Sequence, residues 1–123
     1  MGQFDKAQQL FEKILNSKSG QNQKAKIYHD LGWIKYQQGT LTEAIVFYEH
    51  SLKILPANHP DLTISCNNIG LIYYEMGDCW RALSYCERAL SILQCSVLPD
   101  NTWIKTVESN IEVIRKTLQM YFQ

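Results

Sequence analysis

Slid along itself by 38 residues, the chain falls into register: Leu31 lands on Ile69, Gly32 on Gly70, Tyr36 on Tyr74 and Gly39 on Gly77. The match continues with Ala44 on Ala82, Phe47 on Tyr85, Glu49 on Glu87, Leu52 on Leu90 and Leu55 on Leu93. A shift of 37 brings Ala7 onto Ala44, Phe11 onto Tyr48 and Leu15 onto Leu52, and a shift of 42 brings Asn68-Ile69 onto Asn110-Ile111. A repeat of this length is one supersecondary unit, which cannot bury its apolar face alone and must stack on copies of itself.

The period inside the units is helical. Leu41, Ala44, Ile45, Tyr48, Leu52 and Leu55 follow the i, i+3, i+4, i+7 spacing of one buried stripe. Leu31, Ile34 and Gly39 in one preceding segment, and Ile69, Ile72 and Met76 in the other, do the same. Gly39 and Gly77 sit where a helix ends, and Thr40 and Asp78 directly after them sit where the next helix is capped. Asp100 and Asn101, after Pro99, are candidate caps for a last helix. These signals predict helices over about 3–17, 23–38, 41–55, 60–76, 79–94 and 102–121. The junctions at Gly39 and Gly77 leave room only for tight antiparallel hairpins, and no segment reads as a strand.

Within these hairpins the spacing resembles the tetratricopeptide-repeat (TPR) signature W-x2-L-G-x2-Y, A-x3-F, P. The first full unit reads Tyr28-x2-Leu31-Gly32, Ala44-x3-Tyr48 and Pro56; the second reads Cys66-x2-Ile69-Gly70-x2-Tyr73, Ala82-x3-Cys86 and Ala89. Glycine and alanine at these places let the two helices approach closely, and a larger residue would force them apart. The loop Pro56-Ala57-Asn58-His59-Pro60-Asp61, followed by Asn67-Asn68-Ile69-Gly70, is similar to the extended-loop repeats of kinesin light chains. The resemblance covers essentially the whole chain and implies an all-α solenoid of hairpins in a right-handed superhelix. It divides the array into 1–22 (the second helix of a truncated repeat), 23–58 and 59–98 (full repeats) and 99–123 (a capping helix). Glu112, at the place of Gly32 and Gly70, suits a helix with no second helix over it. The uncapped first helix implies end-to-end self-association or fraying.

Charge and motif content narrow the function. Twelve basic and twelve acidic residues cancel, so no net field draws the chain to nucleic acid or to an anionic membrane. No apolar run reaches the roughly 18–20 residues of a membrane span, and the first residues lack a signal-peptide pattern, so a cytoplasmic location is expected. Cys66, Cys79, Cys86 and Cys95 have no metal-binding spacing and read as reduced, buried thiols. His29, His50 and His59 fall on different elements with no nucleophile at a catalytic spacing, and His59 reads as part of the loop's turn. No glycine-rich phosphate loop is present. Neither an enzyme nor a cofactor is expected.

The resemblance also implies where a protein or peptide ligand would sit, because in this family the first helix of each hairpin lines the concave side. The corresponding residues are Lys26, His29, Trp33, Tyr36 and Gln37 in the first full repeat. In the second they are Ile64, Asn67, Asn68, Leu71, Tyr74 and Glu75, and the capping helix adds Thr106, Asn110 and Val113. Trp33 lies off the Leu31/Ile34 stripe, so it is either an anchor for a partner or packed on a neighbouring repeat. Asn67 and Asn68 offer donors and acceptors suited to a peptide backbone, or to a helix–helix hydrogen bond. Tyr36 and Tyr74 would form an aromatic ladder. The chaperone-tail clamp of some TPR domains uses Lys and Asn on one repeat, Asn on the next, then Lys and Arg on a third. The corresponding residues here are His29, Trp33, Asn68, Thr106 and Asn110, of which only Asn68 fits, and no cation is present to pair with a carboxylate. A structural spacer, or a regulatory or targeting tail of a larger and even enzymatic protein, stays open beside the binding scaffold.

Overall fold

Every apolar stripe read above becomes a helix. The computed structural model describes residues 2–15, 20–95 and 101–122, and their elements are α1 (Gly2–Leu15), α2 (Gln21–Gln37), α3 (Leu41–Ile54), α4 (Leu62–Glu75), α5 (Cys79–Gln94) and α6 (Asn101–Tyr121). No strand occurs among the described residues. Asp100 and the side chain of Asn101, expected to cap α6, lie outside the description. Two compact units result, residues 1–57 and 58–123.

In the first unit α1 packs on α2, and α2 on α3. Ala25, Ile27, Leu31 and Ile34 of α2 meet Ala44, Ile45, Tyr48 and Leu52 of α3 in the core. Gly39 turns the chain with φ 81°, a left-handed conformation that glycine adopts without steric penalty. Thr40 was expected to cap α3; its hydroxyl instead donates to the Lys35 carbonyl at 3.0 Å, serving the end of α2.

In the second unit α4 packs on α5, α5 on α6, and α4 also touches α6. Cys66, Ile69 and Ile72 of α4 face Ala82, Cys86 and Ala89 of α5, with Val107, Ile111 and Ile114 of α6 completing the core. Asp78 does cap α5, its carboxylate accepting from the Arg81 amide at 3.1 Å. In the loop before α4 the Asp61 amide donates to Nδ1 of His59 at 3.1 Å, which fixes that turn. Met76, read as part of the buried stripe, is instead the residue that closes α4, and it is 49% exposed. The stripe ends where the helix does.

The close approach expected of the two glycines is present in both units. A Cβ on Gly32 would meet the Tyr48 ring at 2.8 Å, and one on Gly70 would meet Cys86 Sγ at 2.5 Å and the Ala82 carbonyl at 3.0 Å. Near the turns, positions equivalent under the 38-residue shift use different chemistry for one task. Lys35 and Glu43 pair at 3.2 Å in the first unit. In the second, Arg81 lies 5.6 Å from the centroid of Tyr73, which stacks on Tyr85. An ion pair and a cation–π contact thus join the two helices of each hairpin at the same place.

Candidate functional site

With Ala25, Ile27, Leu31 and Ile34 committed to the core, the remaining surface of α2 carries Lys26, His29, Trp33 and Tyr36 at i, i+3, i+7 and i+10. Lys26 is exposed, His29 and Tyr36 are half-buried, and Trp33 is 47% exposed. Gln37, at the end of the helix, is exposed. His29 leans inward, its ring 5.1 Å from that of Tyr48. Burial disfavours the charged imidazole and lowers its pKa below 6.5, and the neighbouring Asp30 partly offsets this.

That shift predicts a pH dependence of stability. The unfolded chain takes up the proton near 6.5, before the folded one does. The stabilisation is therefore complete above that pH, declines as pH falls through the depressed folded pKa, and changes no further below it. His29→Asn, which installs the residue found at the equivalent position 67, should flatten the change in urea-unfolding free energy between about pH 7.5 and pH 5. An unchanged slope in that variant would assign the dependence to other groups.

In the second unit the equivalent face is shared by α4 and α6. Tyr74 and Thr117 share a hydrogen bond of 3.0 Å between their hydroxyls. Asn68 and Leu71 are half-buried and Glu75 is exposed, while Ile64 and Val113 are large apolar side chains left exposed. Thr106 is exposed and Asn110 half-buried. Asn67 requires a correction. Expected as a ligand contact, it is 4% exposed; its Oδ1 accepts from Asn110 Nδ2 at 3.2 Å and faces the Cys86 thiol at 3.9 Å. A buried amide must find partners within the protein, and here it joins three helices. The same register governs both units: His29 leans on Tyr48 in one, and Asn67 on Cys86 in the other.

Cys66, Cys79 and Cys86 are buried as expected, whereas Cys95, at the end of α5, is exposed. Burial pushes the Cys66 and Cys86 thiols up to about 11, with neighbouring Arg88 slightly opposing this at Cys66. Both stay protonated at neutral pH and are poor nucleophiles and poor metal ligands. Among the described residues no three His, Cys, Asp or Glu side chains gather to hold a metal, and no helix is long and apolar enough to cross a membrane. The sequence reading missed one exposed aromatic group, Trp80 with Tyr121 and Phe122, in the second unit. Only the exposure of Trp80 had a signal, since it lies off the Cys79, Ala82, Cys86 and Ala89 stripe.

Repeated antiparallel helix pairs, closed by left-handed glycines and joined face to face across Gly32 and Gly70, define a helical-hairpin repeat protein. Family models described as tetratricopeptide repeat match residues 1–57 and residues 63–98. The chain belongs to the tetratricopeptide-repeat family. An uncharacterized protein of Pyropia yezoensis, ycf37, is 32% identical over 68 residues, which are 55% of this chain and 36% of that protein. Among solved structures, BtubC (BKLC) of P. vanneervenii superposes with a TM-score of 0.83 at 25% identity, covering 96% of this chain and 51% of BtubC. The Yersinia enterocolitica type III secretion chaperone SycD, in complex with a peptide of the translocator YopD, gives a TM-score of 0.72 at 18% identity, covering 94% of this chain and 82% of SycD. The chain thus spans about a third of the curated relative and about half of BtubC.

Proposed function

We propose that the chain is a non-catalytic protein-interaction scaffold that receives a stretch of partner polypeptide on the first-helix faces of its repeats. The contact residues are Lys26, His29, Trp33 and Tyr36 on α2, and Asn68, Leu71 and Tyr74 on α4; Asn67 acts beneath them as a structural bridge. The observation that carries this reading is Trp33, a large aromatic left 47% exposed on a helix whose opposite face is fully committed to the core. Large aromatic side chains are the commonest anchors of protein recognition. SycD, of the same fold, is a chaperone in complex with a peptide, which supports an interaction role for this architecture without naming a partner. A cytosolic setting suits the three buried thiols, which act as small hydrophobes.

Panning a random and proteome-derived peptide library against the chain tests the proposal, with Trp33→Ala and Asn68→Ala as counter-screens. A shared motif should be enriched on the wild type and lost on Trp33→Ala. That variant should melt with the wild type, within the ~0.5 kcal/mol typical of surface substitutions. Enrichment indifferent to both substitutions would sink the assignment. A destabilisation of roughly 3–5 kcal/mol by Trp33→Ala would place the ring in the core instead.

A further inference from the structure

Where α4 and α6 end and α5 begins, the second unit carries an open depression of about 390 Å³, bordered by Met76, Asp78, Trp80, Leu118, Tyr121 and Phe122. That volume lies within the usual range of ligand sites, about 300–1,000 Å³. Its aromatic walls remain in solvent: Trp80 is 63%, Tyr121 70% and Phe122 74% exposed. None of these side chains belongs to the α2 and α4 faces discussed above.

Three features give the depression one electrostatic sign. The rings of Trp80 and Phe122 stand 6.3 Å apart, tilted by 52°, with Tyr121 adjoining in sequence. A cation seated in the depression against the exposed side of either ring lies within the ~6 Å of a ring centroid at which the negative face of an aromatic attracts positive charge. Both α4 and α6 finish at the depression, so their C-terminal carbonyls add partial negative charge. The N-terminus of α5 would oppose this, but the Asp78 carboxylate caps it and adds a full negative charge. No basic side chain borders the depression. Arg81 stands 3.6 Å from Asp78 Oδ2, yet its guanidinium is held over Tyr73.

The rim is apolar where the charge is not. Met76 and Leu118 offer contacts for a hydrocarbon stem, as long cationic side chains lay their methylenes on apolar surface while directing the charged head elsewhere. A purely apolar ligand would desolvate the Asp78 carboxylate and gain nothing from its charge, which Arg81 meets on one side at 3.6 Å. A hard cation such as a metal ion would find a single carboxylate and no other anionic ligand. An alkylammonium satisfies both the stem and the charge, and methylation weakens its hydration and increases its contact with the rings.

We propose that this end of the second unit is a receptor for a methylated lysine side chain presented by a partner protein. The site is independent of the α2 and α4 faces, and the two readings can fail separately. The test follows the Trp80 indole N–H resonance, assigned with Trp80→Phe, during titration with Nα-acetyl-Nε-trimethyllysine amide. A parallel titration uses the neutral isostere in which carbon replaces the ammonium nitrogen. Saturable shifts are expected for the trimethyllysine compound, with the isostere roughly tenfold weaker. Asp78→Asn, which retains a good helix cap, should weaken binding several-fold, Phe122→Ala, which removes the ring facing Trp80 and keeps the reporting indole, should abolish it, and Trp33→Ala should leave it unchanged. Equal binding of the isostere would overturn the proposal in favour of an apolar slot. So would the absence of any shift up to about 10 mM, above the affinity expected of one such side chain. Undiminished binding to Asp78→Asn and Phe122→Ala, with both melting as the wild type does, would place the ligand elsewhere.

Discussion

Tyr48→Ala is expected to destabilise the first unit by about 3–5 kcal/mol, the range for deleting a buried aromatic ring. Tyr48 is 1% exposed and is held from two sides. Gly32 leaves space for only the ring and nothing beyond it, and His29 covers it at 5.1 Å. Truncation removes these contacts and opens a cavity that the helix pair cannot close without sliding α3 towards α2. The lost cover also hydrates His29, so its pKa should return towards 6.5. Urea unfolding measures the first effect, and the titration of the His29 ring protons by NMR measures the second. Because a repeat protein can lose cooperativity when one unit is weakened, the unfolding probe should report on the first unit itself, for which Trp33 fluorescence is suited in a Trp80→Phe, Trp103→Phe background. A variant that unfolds with the wild type would mean that Tyr48 is not the keystone of the α2–α3 contact. Cys86→Ala, at the equivalent place in the second unit, removes one atom and should be far milder.

The fold was legible because it is written twice. The 38-residue overlay pairs Leu31 with Ile69, Gly32 with Gly70 and Ala44 with Ala82, and each of these proves to be buried in its own hairpin. A pattern that meets the same steric demand in both copies carries more information than either copy alone. Helix ends were legible where glycine turns the chain, at Gly39 and Gly77. They were less so where a side chain had a choice. A hydroxyl can serve the helix behind it as readily as the one ahead, and Thr40 does the former where Asp78 does the latter.

The face that could meet a ligand was harder to read, for a physical reason visible at position 67. Spacing along a helix gives the direction of a side chain but not what fills the space beyond it. Asn67 and Asn68 are neighbours in sequence, and both could satisfy a peptide backbone. Only the third helix of the unit, arriving with Asn110, decides that Asn67 is buried. Likewise Met76 continues the Ile69 and Ile72 period, and only the helix terminus turns it towards solvent. The Trp80, Tyr121 and Phe122 group draws on the start of one helix and the end of another, so no single periodicity could have assembled it. Internal repeats predict what every copy shares, and recognition surfaces lie where the copies differ.

Gly70→Leu is the second substitution with a large expected effect, at the upper end of the ~1–3 kcal/mol typical of overpacking or beyond it. The reason is the kind of atom in the way. A Cβ at position 70 would stand 2.5 Å from Cys86 Sγ, 3.0 Å from the Ala82 carbonyl oxygen and 3.3 Å from the Cys86 amide nitrogen. Two of these are backbone, so relief requires α5 to move as a body, and its packing against α6 resists that motion. Gly70→Ala separates the contributions. Alanine should gain about 1 kcal/mol of helix propensity, so any net loss of stability reports a clash larger than that gain. Removing the sulfur with Cys86→Ala takes away the closest of the three contacts and leaves the two backbone atoms. The pair Gly70→Ala and Cys86→Ala should therefore lose less than the sum of the single variants, with a coupling above the ~0.5 kcal/mol scatter of independent sites. Additivity within that scatter would mean that the thiol yields freely and that the backbone of α5 alone sets the limit. A Gly70→Leu protein melting with the wild type would overturn the close approach of α4 and α5 altogether, and with it the alignment of the two repeats.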